Sequence, residues 1–253
     1  MTRNRVESYG AFAYAYDKAL GQRFFKSVRR LLRESLDKYP VRGAKTHLDV
    51  ACGTGLAVDF FRAEGWRSVG VDASLPMLQM ARGRAPQLVA GDYRALPFRA
   101  PFARITCLYD SLNHLKDRVE LASAFRSMRR LMGPDSLLLF DMNHPDIYPA
   151  VWGMREPFVA TGRDYHLEIA TTWRKREGIG HALVTGWADL PGSERVEIHE
   201  RHEQRAYRER EIVESLTDAN LAPVEILDFD PYDESGTVDA EGVKLFFVCR
   251  AKS

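Results

Sequence analysis

The sequence is poor in cysteine, with Cys52, Cys107 and Cys249 the only three among 253 residues. They stand far apart in apolar or turn contexts, lack metal-ligand spacing and cannot all pair. That excludes a disulfide framework or a cysteine metal site and points to reduced thiols in a cytoplasmic protein. Long apolar runs are also missing, so no segment is expected to cross a membrane. The opening stretch is tyrosine-rich and carries Glu7 and Asp17, which makes a poor secretory signal. Charge of one sign does not dominate: Lys and Arg number 36, Asp and Glu 35, and the formal net charge is +1. No global attraction to nucleic acid follows from that balance. Internal repeats and low-complexity tracts are absent. What remains is 45% hydrophobic, 28% charged and 11% aromatic, enough for a core and unlike a disordered or membrane chain. The length suits one domain with an elaboration, or two small ones.

The chain is organised around His47-Leu48-Asp49-Val50-Ala51-Cys52-Gly53-Thr54-Gly55. A short apolar run stops at an acid and turns through glycines into a helical pattern, with Leu56, Ala57, Phe60 and Phe61 recurring behind it. Glycines there let backbone N–H groups approach a ligand without Cβ interference. A strand, tight turn and helix of this kind form the first half of a nucleotide-binding βαβ unit.

Upstream, residues 6 to 36 read as helical, broken at Gly21 and ended by Tyr39-Pro40. Tyr9, Phe12, Ala13 and Tyr16 share one helical face. That face suits an amphipathic helix on the sheet edge or a lid whose tyrosines reach a ligand. Downstream, strands are expected at 67–72, 88–93, 104–109 and 136–140, separated by helices. Asp49, Asp72, Asp92, Asp110 and Asp141 fall at or just after successive strand ends. In a parallel sheet those ends line one rim, where ligands bind.

The pattern changes after residue 156. Tyr165, Leu167, Ile169, Thr171 and Trp173 alternate with polar residues, Glu177-Gly178-Ile179-Gly180 signals a hairpin, and strand period continues to Ala206. Three antiparallel strands are expected here as an inserted meander that cannot fold alone. It must pack on the rim, on a partner subunit or on both. Helix returns at 208–221, and two closing strands are expected at 224–229 and 243–250.

On these residues the chain resembles the class I S-adenosylmethionine-dependent methyltransferases, through Leu48-to-Gly55, Gly70-Val71-Asp72, Gly91-Asp92 and the Tyr109-to-His114 segment. The resemblance is close over roughly residues 9–150 and holds in outline over 199–250. It implies an α/β Rossmann-like sheet of seven strands, mostly parallel with the last antiparallel, helices on both faces and the antiparallel meander inserted. The expected division is a methyltransferase domain of residues 1–150 and 207–253, with 1–40 as a helical lid and 151–206 as an insert serving as substrate lid or dimer contact. For the cofactor, S-adenosylmethionine, the resemblance places Ala51, Gly53 and Gly55 around the methionine portion and Asp49 on its amino group. Asp72 would take the ribose hydroxyls, and Ala73 and Met77 would pack near the adenine. Gly91, Asp92 and Tyr93 would meet the adenine edge, with Asp92 accepting from its amino group. Tyr109, Asp110 and Ser111 would lie beneath the cofactor facing the methyl group, and Tyr9 and Tyr16 would close over the methionine end. Ala51 departs from the glycine many relatives have there. Similar proteins methylate small molecules, including amino sugars and glycine-like amines.

A sulfonium donor needs alignment and exclusion of water more than acid or base, but a hydroxyl acceptor needs a proton acceptor within reach. His114 is the best-placed candidate, and with Asn113 and Tyr16 it forms the expected catalytic set. His144, Tyr148 and Trp152 are expected at the substrate, although the aromatic pair, with Phe158 and Trp173, could equally be core under the insert. His199 and His202 fall on opposite faces of an inserted strand and read as structural. The expected partner is a small molecule, with no nucleic acid, membrane or metal, in a monomer or homodimer. Two rivals remain. A nicotinamide oxidoreductase fits Gly53, Gly55 and Asp72 but not Asp49, which would repel a pyrophosphate. A methyltransferase-like binding subunit without turnover would keep the same acids and glycines.

Overall fold

The computed structural model describes residues 3–192, 194–231 and 243–252, with side chains from residue 10 onward. Five strands alternate with helices through the first two-thirds of the chain: β1 (Thr46–Val50), β2 (Arg67–Asp72), β3 (Leu88–Ala90), β4 (Phe102–Cys107) and β5 (Met132–Asn143). These five run parallel. Two closing strands, β10 (Leu221–Phe229) and β11 (Lys244–Ala251), complete a seven-stranded sheet in the order β10-β11-β5-β4-β1-β2-β3. β11 lies antiparallel between β5 and β10. The chain leaves β1 toward β2 on one side and later returns to β4 on the other. Their C-terminal ends therefore open a crevice at this switch point.

Both faces of the sheet are covered, which is why Leu137 to Phe140 of β5 and Leu245 to Cys249 of β11 read as continuous apolar runs. Leu48, Val50, Ile105, Leu138, Phe140 and Phe247 pack toward α5 (Arg118–Arg129) and α6 (Glu209–Asp218). Leu137, Leu139, Phe246 and Val248 pack the other way, toward α2 (Gln22–Lys38) and α3 (Leu56–Ala63). Local signals agree with these helices. Ser74 caps α4 (Leu75–Ala81) through the Met77 N–H, and Asp117 caps α5 through that of Glu120.

The expected break at Gly21 does not occur. α1 (Arg3–Tyr16) runs into α2 through a π-helical turn, Asp17–Gly21. The extra residue of a π turn is accommodated without ending the helix, and the Asp17 side chain it redirects is held by partners elsewhere. β4 also stops sooner than expected, at Cys107, because Tyr109 and Asp110 take left-handed backbone at φ 61° and 48°.

The insert has four strands rather than three: β6 (Phe158–Thr161), β7 (Tyr165–Arg174), β8 (Ile179–Asp189) and β9 (Arg195–Arg205), paired antiparallel in that order. β6 went unrecognised because four half-exposed residues carry too little alternation to count as a strand. The buried face of the sheet, Leu167, Val184, Ala188 and Ile198, packs on Ala11, Phe12, Ala13 and Ala15 of α1. The N-terminal helix thus lies between the insert and the glycine turn.

One backbone contact fixes this sheet. Gly186, at φ 147° in mid-strand, would place an added Cβ 1.9 Å from the His166 carbonyl oxygen. Gly186→Ala is expected to destabilise the protein by about 3 kcal/mol or more, whereas Gly178→Ala, at φ 67° facing open space, should cost about 1 kcal/mol. Thermal unfolding of the two variants tests the ranking, and equal losses would contradict it.

Candidate active site

Past β1 the backbone turns left-handed at Ala51, Gly53 and Gly55, with φ of 55°, 51° and 83°. Only glycine adopts such angles without cost, so Ala51 carries local strain. The turn lies flat on β2: the Cys52 N–H donates to the Val71 carbonyl at 3.0 Å, and a Cβ on Gly70 would stand 2.7 Å from Cys52 Sγ. An added Cβ at Gly53 would meet nothing within 4 Å, so this stretch of backbone faces open space.

Two carboxylates flank the turn. Asp72 accepts the Gly53 N–H at 2.8 Å and the Ser74 N–H at 2.7 Å. Asp49, 3% exposed, accepts the Thr106 hydroxyl at 2.5 Å. Burial pushes Asp49 up to about 7; the Thr106 bond opposes the rise and the charge of Asp72 adds to it. Burial raises Asp72 too, against its backbone N–H donors. Among the described residues neither carboxylate has a cation partner, unlike the other buried acids of the site. A desolvated pair of acids beside bare backbone fits a ligand bearing cationic groups and hydroxyls, and it disfavours a diphosphate. The residues present therefore fit S-adenosylmethionine.

Beyond β2, Ala73 leads into α4, and Met77 is buried among the residues packed on α1. The Gly91 N–H donates to the Asp72 carbonyl at 3.0 Å, which ties the loop after β3 to the end of β2. Asp92 is partly exposed and pairs with Arg94 at 2.5 Å, which holds its carboxyl low. Tyr93 is half-buried against the core.

The N-terminal helices are latched to the turn by residues that sequence inspection had not singled out. Asp17, buried in the π turn, accepts Thr54 Oγ1 at 2.5 Å, Gln22 Nε2 at 3.0 Å and both terminal nitrogens of Arg84 at 2.7 and 2.9 Å. Burial pushes Asp17 up, but these donors together bring it below its usual value. Tyr16, at the end of α1, meets Tyr109 edge-on with ring centroids 5.3 Å apart. Tyr9 lies in the part of α1 whose side chains are outside the described residues.

The rim after β4 is built on a buried charge cluster. Asp141 accepts the N–H groups of Tyr109 at 2.5 Å and Asp110 at 3.0 Å, which pins the left-handed pair. Lys244 Nζ donates to Asp141 at 2.9 Å and to Asp110, and sits over the rings of Phe24 and Tyr109. Burial raises Asp110, but Lys244 outweighs it and leaves the carboxyl low; Asp141, more deeply buried, stays raised. From the insert, Gln204 donates to Asp110 and accepts from Asn143 at 2.8 Å and the Tyr148 hydroxyl at 3.1 Å. Ser111 Oγ turns back to the Leu108 carbonyl.

Asn113 is fully buried, donating to the Arg205 carbonyl at 2.8 Å and accepting the Asn143 N–H at 3.0 Å. His114 is exposed, with Nδ1 2.8 Å from the Glu203 carbonyl. A carbonyl can only accept, so Nδ1 carries the hydrogen, and the Gln204 amide nitrogen lies 3.4 Å from Nε2 as a donor to it. Rings continue from Tyr109 through Tyr16 and Phe12 to His202 and His114, with successive centroids 5.3, 5.7, 5.1 and 6.1 Å apart. His202 thus joins a wall beside the rim. Burial, with the nearby His114, pushes it down to about 4. His144 accepts the Asp146 N–H at 3.3 Å within its own loop. Tyr148 is buried, and its ring meets those of Trp152 and Trp173 at centroid distances of 5.3 and 5.2 Å, whereas Phe158 is exposed.

Comparison with known proteins gives one answer at the level of family. A sequence profile of the methyltransferase domain matches residues 48–135. A Geobacillus sp. (strain WCH70) protein, named provisionally as a methyltransferase, is 28% identical over 96% of this chain and 99% of its own. The demethylmenaquinone methyltransferase of Renibacterium salmoninarum is 31% identical over 64% of this chain and 73% of its own. The dTDP-3-amino-3,6-dideoxy-alpha-D-glucopyranose N,N-dimethyltransferase of Streptomyces fradiae is 32% identical over 39% of each chain. A crystal structure of an S-adenosylmethionine-dependent methyltransferase from Clostridium acetobutylicum matches the fold with a TM-score of 0.78 at 22% identity, covering 96% of this chain and 98% of that one.

Removing the cation from the rim cluster has a pH signature. In Lys244→Met, Asp110 and Asp141 lose their buried partner, so both folded-state carboxyls rise above their unfolded values. A raised acid is stabilising only below its unfolded pKa, so the deficit grows as pH rises through the folded pKa values. The variant should lie close to wild type near about pH 4 and fall about 3–5 kcal/mol below it near about pH 7.5. Denaturant unfolding at the two pH values checks this; a deficit independent of pH would contradict it.

Proposed function

The chain belongs to the class I S-adenosylmethionine-dependent methyltransferases, and from that membership we propose that it methylates a nitrogen or oxygen of a small molecule held at the rim of the sheet, beside α1 and the insert packed on it. The observation that carries the cofactor side of this reading is the pair of acids beside the left-handed turn, buried Asp49 and half-buried Asp72, which have no cation partner among the described residues. Asp49 would receive the cationic amino group, and Asp72 the ribose hydroxyls through lone pairs its two backbone donors leave free. When bound, S-adenosylmethionine supplies a methyl sulfonium, an electrophile already activated for in-line displacement.

The protein's own task is then alignment, exclusion of water and disposal of one proton. Alignment falls to Tyr109 and Asp110, fixed by Asp141 and Lys244. Exclusion falls to α1, latched through Asp17, and to the insert behind it, so residues 1–40 serve as a lid and 151–206 as a second wall. Nε2 of His114 takes the proton that an attacking amine or hydroxyl sheds, while the Glu203 carbonyl holds the opposite nitrogen. An amine acceptor is favoured, because a neutral amine attacks before it loses its proton and one exposed imidazole then suffices. The amino-sugar N,N-dimethyltransferase among the relatives supports the same class.

Isothermal titration with S-adenosylmethionine, S-adenosylhomocysteine and NADH tests the cofactor reading. The first two should bind at micromolar concentration and NADH should not. Asp72→Ala should weaken S-adenosylhomocysteine about 100-fold or more, as expected for a desolvated acceptor of two hydroxyls. Affinity within about threefold of wild type would remove Asp72 from the ribose site.

A further inference from the structure

Asp49 stands at the end of a line of buried polar groups that crosses three strands beneath the crevice. Ser68 of β2 lies in register with His47 of β1, and Thr106 of β4 in register with Asp49. His47 and Asp49 are two residues apart and share the face of the sheet covered by α2 and α3. Their side chains close the gaps: Ser68 Oγ lies 2.7 Å from His47 Nδ1, His47 Nε2 lies 2.9 Å from Thr106 Oγ1, and Thr106 Oγ1 lies 2.5 Å from Asp49 Oδ1. Ser68, His47, Thr106 and Asp49 are each 3% exposed or less. Phe61 of α3 stacks on the imidazole at 3.6 Å, which fixes the ring plane.

The donors in this line can run toward the acid in only one way. An ionised carboxylate accepts only, so Thr106 spends its single hydrogen on Asp49 and must accept from His47 Nε2. Burial holds His47 neutral, well below its usual value, so its hydrogen sits on Nε2 and bare Nδ1 accepts from Ser68. Three dipoles then point at one carboxylate, each polarising the next. If Asp49 is protonated, that ordering is lost. Polar residues at four matched positions in buried strands would otherwise be a poor substitute for apolar packing.

We propose that His47 is a positioning residue which, through Thr106, holds Asp49 ionised to receive the amino group of the donor. This rests on the placement of Asp49 in the proposed cofactor site. Charged and titratable neighbours do not duplicate the role. Asp72 on β2 opposes ionisation of Asp49, and the thiols of Cys52 in the turn and Cys107 on β4 are pushed up by burial and stay neutral. Arg104 of β4, in register with His47, turns its guanidinium to the Tyr39 and Ala103 carbonyls.

The sign follows from linkage. A ligand amino group prefers ionised Asp49, so affinity is full above the carboxyl's pKa in the free protein. Below it, affinity falls by up to tenfold per pH unit. For wild type that decline should begin near about pH 7, where Asp49 sits. Thr106→Val removes the last donor at nearly constant volume and should move the midpoint up by about one pH unit, weakening S-adenosylhomocysteine about five- to tenfold near pH 7. Near about pH 8.5 most of that loss should be recovered. His47→Phe keeps the stacking but not the donor and should shift the midpoint the same way by less. Thr106→Ser and His47→Gln, which restore a donor, should return toward wild type.

Calorimetric titration of S-adenosylhomocysteine from about pH 5.5 to about pH 8.5 reads the affinity. Carbon-13 NMR of the labelled Asp49 carboxyl in the ligand-free protein reads its ionisation directly. An unchanged carboxyl midpoint in Thr106→Val overturns the proposal, as does a loss of affinity equal at every pH. A midpoint that rises while affinity stays level separates the two ideas: the line governs Asp49, but Asp49 does not hold the amino group, and the cofactor placement fails. If His47→Phe does not fold, Thr106→Val carries the test alone.

Discussion

Holding one buried and one half-buried carboxylate side by side with no cation partner among the described residues is costly, and the surroundings of the glycine turn are arranged around that cost. Asp72 is offset by two backbone N–H groups, one of which Gly53 can present only because the turn is left-handed. Asp49 is offset by a hydroxyl from a neighbouring strand, with an imidazole and a second hydroxyl behind it. Neither arrangement cancels the charge. What remains is an electrostatic deficit in a desolvated crevice, which a cationic donor relieves and a phosphate would deepen. The parallel sheet places both acids at one rim, and the switch between β2 and β4 leaves that rim open.

The two coverings of this crevice are anchored differently. α1 is tied on the glycine-turn side by Asp17, whose carboxylate gathers Thr54, Gln22 and Arg84 at a π turn that keeps the two N-terminal helices continuous. The insert is tied on the opposite rim, where Gln204 reaches the Asp110–Lys244–Asp141 cluster and Asn113 holds the Arg205 carbonyl. Both anchors are charged or amide groups out of solvent, where bond geometry is specified far more sharply than by apolar contact. Between the two anchors, rings from three separate segments meet beside the rim: Tyr109 after β4, Phe12 and Tyr16 from α1, and His202 from β9.

Much of this order was legible in the sequence because it rests on local chemistry. A strand that ends in an acid before left-handed glycines can be read from nine residues, and so can repeated acids at strand ends and an abrupt change of period near residue 156. The groups that escaped notice act at long sequence separation. Asp17 meets Arg84, Asp110 meets Lys244, and Gln204 meets both Asp110 and Tyr148, and no local pattern records such pairs. Some signal was there. Lysine just before the apolar run Leu245 to Cys249 of the closing strand, and His47, Ser68 and Thr106 inside buried strands, are polar groups that only a partner can justify. Gly21 misled in the opposite sense, since a glycine that usually ends a helix here lies inside a π turn.

The central claim is that Asp49 and Asp72, which have no cation partner among the described residues, receive a cationic donor. A crystal structure of the protein with S-adenosylhomocysteine tests it most directly. The account predicts the ligand's amino group on Asp49 and its ribose hydroxyls on Asp72, with Gly53 against the methionine chain. A ligand seated elsewhere, or one whose amino group leaves Asp49 untouched, would contradict it.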